Sequence, residues 1–268
     1  MNGYIVIGYP DVALAALLVL ADAGISLALQ LGLHRQLLVA AVRMVLQLSV
    51  MGLVLTTLFS IVSPLWTGVA AVLMVLVSGR EIAARQQRQL RGMWSYGVGT
   101  VCMMMASMLV TVLALSTALR PSPWYDPRYA LPLLGMVLGN AMTGIAIGLN
   151  SMTNGLVDRR STVEAQLMLG VDRWRALAPV TTQALRNALM PIINSMSATG
   201  LVALPGMMTG QILGGVPPAE AVKYQMLIMF LIAGGTGFGA AAAVLSAAFR
   251  LTDSRHRLRL DRLAARKG

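Results

Sequence analysis

Sulfur is the first chemistry the sequence offers. Cys102, Met103, Met104, Met105 and Met108 cluster between positions 102 and 108, and Met207 with Met208 form a second pair. Thiols and thioethers suit soft ions such as Cu(I), whereas iron takes oxygen or nitrogen donors as well. Methionine is also an adaptable packing residue, so both patches have a purely structural alternative. A single cysteine excludes an internal disulfide and leaves the redox compartment unread. His34 and His256 stand near opposite ends with no H-x-x-x-H spacing, so a protease-type zinc site is not expected. No catalytic residue is assigned, and no metal-ligand set can be named.

Lysine is informative by its position. A P-loop requires glycines and a lysine in G-x-x-x-x-G-K-[ST], and neither Lys223, after Val222, nor Lys267, after Arg266, lies in that pattern. The chain is therefore expected to bind no cofactor of its own, and ATP, if used, must be hydrolysed on another polypeptide. A retinal-type Schiff base would need a lysine deep in the last helix, and Lys223 falls at its mouth. Asp22 and Arg43 are charges inside apolar runs. By helical rise they lie about 18 Å and about 12 Å from the turn between their helices. They are expected to form an intramembrane ion pair, with substrate handling as the alternative. Asn140, Asn150, Gln47 and Gln211 are expected to bond between helices.

The elements that position these groups follow from composition. Of 268 residues, 57% are hydrophobic and 12% charged, against about 25% charged in soluble domains. This describes an all-α, polytopic membrane bundle forming a single transmembrane domain over 1–268. Crossing about 30 Å of hydrocarbon takes about 20 apolar residues. Spans are predicted at 12–33, 37–62, 65–78, 94–119, 131–152, 188–213 and 222–249, seven in all, the third being short. Seventeen of the 21 basic residues then fall on one side, after the first, third and fifth spans and in the tail 250–268. The opposite side has only Arg120, Arg128 and Lys223, and Arg43 lies within a span. The positive-inside rule puts the N-terminus outside and the C-terminus in the cytoplasm. It also assigns the net charge of +11 to membrane lipid, not nucleic acid. The first span lacks a basic n-region, so a cleaved signal peptide is not expected.

The connection 158–187 is far longer than a turn requires. Ser161 and Glu164 fit a capping box, and Val163, Leu167 and Val171 recur at helical spacing. A second short helix is expected after a break at Gly170, with Asp172 as N-cap and Trp174 and Leu177 on one face. The pair would either lie on lipid as an amphipathic helix or dock in a groove of a soluble partner. Glycines spaced four apart at 135/139, 144/148, 206/210/214 and 235/239 predict close helix contacts in the last three spans.

Several blocks carry a family likeness: VRMVLQL at 42–48, LGNAMTGIAIGLN at 138–150, EAQLMLGVDRWRA at 164–176 and GLVALPGMMTGQILGGVPPAEAVKYQ at 200–225. Together they resemble the bacterial FetB/YbbM-type permease family, whose plant relatives act in aluminium tolerance. The resemblance implies a permease subunit of an ABC transporter in the bacterial inner membrane. Such a subunit would work as a homodimer with a separate cytosolic, FetA-like ATPase in iron export or metal homeostasis. Glu164, Ala165 and Gly170 are similar to the EAA-type coupling loop, which implies that Glu164 docks, Gly170 bends and Trp174 lies at the contact. Pro179 comes early and no I-x-L-P follows, so the importer pattern is not matched throughout. The alternative class is a stand-alone secondary transporter or channel.

Within the last block, Pro205 and Gly206 stand in an apolar span beside Met207 and Met208. Proline in a helix frees a carbonyl and kinks it. The expectation is a hinge bordering the translocation path, near Asn140, with a static kink as the alternative.

Overall fold

The computed structural model describes residues 8–253 and 255–264. Arg266, Lys267 and the stretch before Gly8 lie outside the described residues. Within them the chain is helical, with three isolated bridges and no strand. It divides into two compact units, residues 1–62 and 63–268.

The first unit is a helical hairpin, α1 (Tyr9–Ala28) and α2 (His34–Ser60). Its turn places Gln30 and Gly32 at positive φ, and the Ser26 hydroxyl accepts from Leu33 N–H at 3.0 Å. Ala23 and Ser26 are the buried residues of α1, and α2 has none. Asp22 and Arg43 are both on exposed faces.

The second unit holds α3 (Pro64–Ala84), α4 (Trp94–Ala114, prolonged by a π-helical turn Leu115–Leu119) and α5 (Pro127–Asp158). After these come α6 (Arg160–Met168), α7 (Arg173–Ala198), α8 (Gly206–Leu213) and α9 (Pro218–Arg250). Pro64, Pro127 and Pro218 open their helices, where the missing amide costs nothing.

Contacts between helices fix their directions. Gly79 of α3 abuts Thr100 of α4 and Gly99 abuts Ile82, so these two are antiparallel. On α5, Gly144 meets Thr236 and Gly148 meets Val244, so α5 and α9 run the same way. Between them α7 runs back: Gly155 lies against Val180, and Gly148 against Ala184 and Ala188. A Cβ at Gly144, Gly148 or Gly235 would come within 2.7, 2.9 and 2.6 Å of a neighbouring side chain. These glycines let helices approach to van der Waals contact, the main source of association in lipid. The expected stripe on 206/210/214 does not do this, since a Cβ at Gly206 or Gly210 meets nothing within 4 Å.

Among the described residues six helices are long and apolar enough to cross a membrane: α1, α2, α3, α4 with its π turn, α5 and α9. The short third span is a 21-residue helix reaching Ala84, which removes the concern about its length. The predicted span 188–213 is not one helix. Its first part belongs to α7, which begins at Arg173, and the chain leaves helical geometry between Ala198 and Gly206. The segment is tied locally by Ala203 N–H to Ala198 C=O at 3.0 Å and Gly200 N–H to Ala203 C=O at 2.9 Å.

The basic tail folds back on the bundle. Leu258, Leu260 and Leu263 pack against the core, and Ala264 N–H donates to Gln89 C=O at 2.8 Å. Arg91 N–H donates to Arg262 C=O at 2.7 Å, closing the tail onto the α3–α4 connection.

Candidate functional site

The end of the bundle carrying α6 is where local sequence and tertiary packing agree. Gly170 has φ +82°, a conformation that disfavours other residues. Its N–H donates to Leu167 C=O at 3.1 Å and Val171 N–H to Gln166 C=O at 3.0 Å. That pair of bonds is a Schellman motif, which ends α6 in a fixed bend. Asp172 then caps α7, its Oδ2 accepting from Trp174 N–H at 2.8 Å. Asp172 also faces His256 of the tail, whose Nδ1 accepts from Arg173 N–H at 3.2 Å.

Three local expectations are corrected. Ser161 and Glu164 form no capping box, because α6 begins at Arg160 and Glu164 pairs with Arg160 at 2.9 Å one turn away. The helix after Gly170 is not short: it is α7, 26 residues long. Trp174 and Leu177 also part company, Trp174 being exposed and Leu177 buried.

The apolar stripe of α6 has a partner within the protein. Val163 is buried, and Leu167 and Val171 pack against the core. The elbow's tip is apolar and uncovered, with Met168 88% and Leu169 84% exposed. Sequence reasoning passed over both. Their signal was two apolar residues just before the Gly170 bend, off the Val163/Leu167/Val171 face. Glu164 is half-buried and Ala165 exposed on the same short helix.

A polar seam leaves this elbow along α5 and α7. On α7, Gln183, Asn187, Asn194 and Ser197 recur at intervals that keep one helical face. On α5, Asn140, Thr143, Ser151 and Asn154 do the same. Asn187 Nδ2 donates to Ser151 Oγ at 2.9 Å and Gln183 Nε2 to Asn187 Oδ1 at 2.9 Å, joining the two rows. All eight are exposed or half-buried. The seam's lower end is a cavity of about 210 Å³ lined by Ser151, Asn154, Asp158 and Gln183. This face explains why α7 falls outside the strongly apolar helices. Amide and hydroxyl oxygens are hard donors that can stand in for a cation's water shell. Among the described residues no three His, Cys, Asp or Glu side chains gather into a metal site.

Asn150 bonds between elements as expected, donating to Arg85 C=O at 3.0 Å and accepting from Gln87 N–H at 2.9 Å. Asn140 does not: its Nδ2 donates to Met136 C=O in its own helix at 2.9 Å. Pro205 caps α8 from outside, with φ −62° and ψ 137°, and its carbonyl accepts from Thr209 N–H. It therefore breaks no helical ladder. Gly206 begins α8, Met207 is exposed and Met208 half-buried. The other sulfur patch diverges, with Cys102 and Met103 buried while Met104 and Met105 face outward.

The helices and their hydropathy define a multi-pass membrane protein. Residues 9–251 match the family described as "Uncharacterised protein family (UPF0014)", and the chain belongs to that family. It is similar to UPF0014 membrane protein STAR2 of Oryza sativa subsp. japonica, at 37% identity over 84% of this chain and 76% of the relative. It is similar also to Protein ALUMINUM SENSITIVE 3 of Arabidopsis thaliana, at 32% over 83% and 79%. The Probable iron export permease protein FetB of Escherichia coli is 28% identical over 94% and 95%. No solved structure matches the chain.

Proposed function

We propose that this chain is the membrane-spanning subunit of an ABC-type transporter that exports a metal ion, with iron as the first candidate. A separate ATPase would drive it, and this chain would bind no nucleotide. The observation that carries the reading is the elbow. A rigid, capped bend seated on the core presents Met168 and Leu169 outward, with Trp174 also exposed at the start of α7, and leads directly into the helix that bears the polar seam. An apolar knob of this kind suits a groove on a soluble partner. Because Val163, Leu167 and Val171 already pack inward, α6 has little apolar face left to lay on lipid.

In this reading α7 is a further crossing, sixth in chain order and bringing the total to seven, since α5 and α9 run in parallel and the chain must return between them. The N-terminus is outside, and the elbow and tail are in the cytoplasm of a bacterial inner membrane. A homodimer would cover the seam, Asp22 and Arg43 would pair, and the 199–205 link with Pro205 and Gly206 would be the joint next to Met207, Met208 and Asn140. The similarity to the probable iron export permease FetB suggests the substrate class.

The test is co-purification with a candidate ABC ATPase. Leu169→Asp and Trp174→Asp should abolish it while membrane expression is retained. Metal transport into vesicles by this chain alone, without ATP, would overturn the proposal in favour of a secondary transporter or channel.

A further inference from the structure

A second cavity lies away from the seam, where the start of α4, the end of α9, the start of α7 and the folded-back tail meet. It measures about 1070 Å³. Its walls are apolar side chains, Val98 and Val101 from α4 and Leu245 from α9. Val101 and Leu245 are about half exposed, so the cavity is a trench open along the helices. From Trp94 to Val101 it climbs about 10 Å by helical rise.

One end is charged. Arg173, Arg250 and Arg262 all line it, and all three are half-buried. Arg250 lies over the Trp94 ring at 4.3 Å, and Arg173 is held between the rings of Trp174 and Phe249 at 5.3 and 5.5 Å. Their described guanidinium bonds go to main-chain carbonyls: Arg173 to Asp253 C=O at 3.1 Å, and Arg262 to Arg250 C=O at 2.7 Å. The nearby acids are engaged elsewhere, Asp253 with Arg257 at 2.9 Å and Asp261 with Arg259 at 2.8 Å. A guanidinium has five donors in a fork that matches phosphate. The mouth is therefore a preorganised cluster of positive charge with donors to spare.

An apolar trench about half a leaflet long, capped by arginines and by the exposed ring of Trp94, has the two-part chemistry of an anionic phospholipid. Trp at headgroup level and basic pockets between membrane helices fit the same ligand. We propose that this groove is a binding site for one anionic phospholipid, its phosphodiester held by Arg173, Arg250 and Arg262 and one acyl chain laid along Val98, Val101 and Leu245. The site does not depend on what the seam transports.

Native mass spectrometry of the detergent-purified full chain tests it, with phosphatidylglycerol, phosphatidylcholine and inorganic phosphate added separately. Phosphatidylglycerol should be retained in preference to phosphatidylcholine. Loss of two arginines in Arg250→Gln with Arg262→Gln should weaken that retention by about thirtyfold. Val101→Trp, on an exposed position, should fill the trench and displace the lipid with the arginines intact, which separates binding from any misfolding of the double variant. Arg120→Gln, outside the groove, should change nothing. Inorganic phosphate retained as well as phosphatidylglycerol, with Val101→Trp without effect, would mean a free-anion site and overturn the lipid. Equal retention of both lipids, or equal loss in Arg120→Gln, would overturn the groove altogether.

Discussion

The two ends of α7 are built on opposite plans. At its start, a left-handed glycine, a Schellman bend and the Asp172 cap fix the chain within a few residues, and the tail adds acceptors for Arg173, His256 Nδ1 and Asp253 C=O. At its finish, the helix gives way to an exposed link in which Leu201 is 94% and Val202 87% accessible, with Pro205 capping α8 without any side-chain bond. A lever needs one stiff end and one compliant end. Force applied at the elbow would be passed along α7 as a rigid body, whereas the far end can change its path without breaking packed contacts.

The sharpest way to break this contrast is to place a charge at each end. Leu169→Asp should reduce ATPase association by about thirtyfold or more, the loss of a central interface anchor, and Leu201→Asp should leave it unchanged in the same pull-down. Equal losses would mean that both ends touch the ATPase. A smaller effect is expected at the caps. Asp172→Ala should lower stability by about 1 kcal/mol, read as a drop in melting temperature in detergent, while Pro205→Ala should cost less because no side-chain cap is lost. Pro205→Ala should instead change metal transported per ATP hydrolysed. An unaltered ratio would make the link a static connector.

The smallest effect concerns the tail. The hydrogen bond from Arg259 is the main cause holding Asp261 down at about 2, below the ordinary carboxylate value of 3.8. A depressed acid stabilises the folded form above the ordinary value, and that contribution disappears as pH falls through about 2. Backbone exchange at Arg91, whose N–H donates to Arg262 C=O, should thus be insensitive to this pair between pH 7 and 5. Its protection factor, taken against the intrinsic exchange rate at each pH, should fall below pH 4 in the native protein and less so in Asp261→Asn. The pair is exposed, so the change should be slight.

Features set by a few adjacent residues could be read directly from the sequence. Gly170 and Asp172 act through bonds to residues within five positions of themselves, and the structure uses both as the sequence suggests. The glycine pairs at 144/148 and 235/239 were legible for the same reason, since their spacing alone puts them on one face. The 206/210/214 set failed because spacing does not say whether a neighbour is present. Pro205 misled because the chain leaves the helix at Ala198, seven residues before it, where the sequence holds no proline to mark a stop. The seam was hidden by averaging: Gln183, Asn187, Asn194 and Ser197 share α7 with enough apolar residues to blur its hydropathy. Glu164 turned to Arg160, a nearer partner than the helix terminus.

The parallel course of α5 and α9 also constrains how the molecule is made. A helix carrying Arg173 and Arg175 at its start, Arg186 midway and a row of amides along one face gains little by entering lipid alone. Its apolar side, with Ala184 and Ala188 pressed against Gly148, becomes valuable only once a partner surface exists. With α7 as the proposed further crossing, α5 is finished first during synthesis and α9 last, so α7 would wait at the membrane surface until α9 enters and draws it inward. A chain truncated before Pro218 should then leave α7 reachable by water-borne reagents from the side on which it was made.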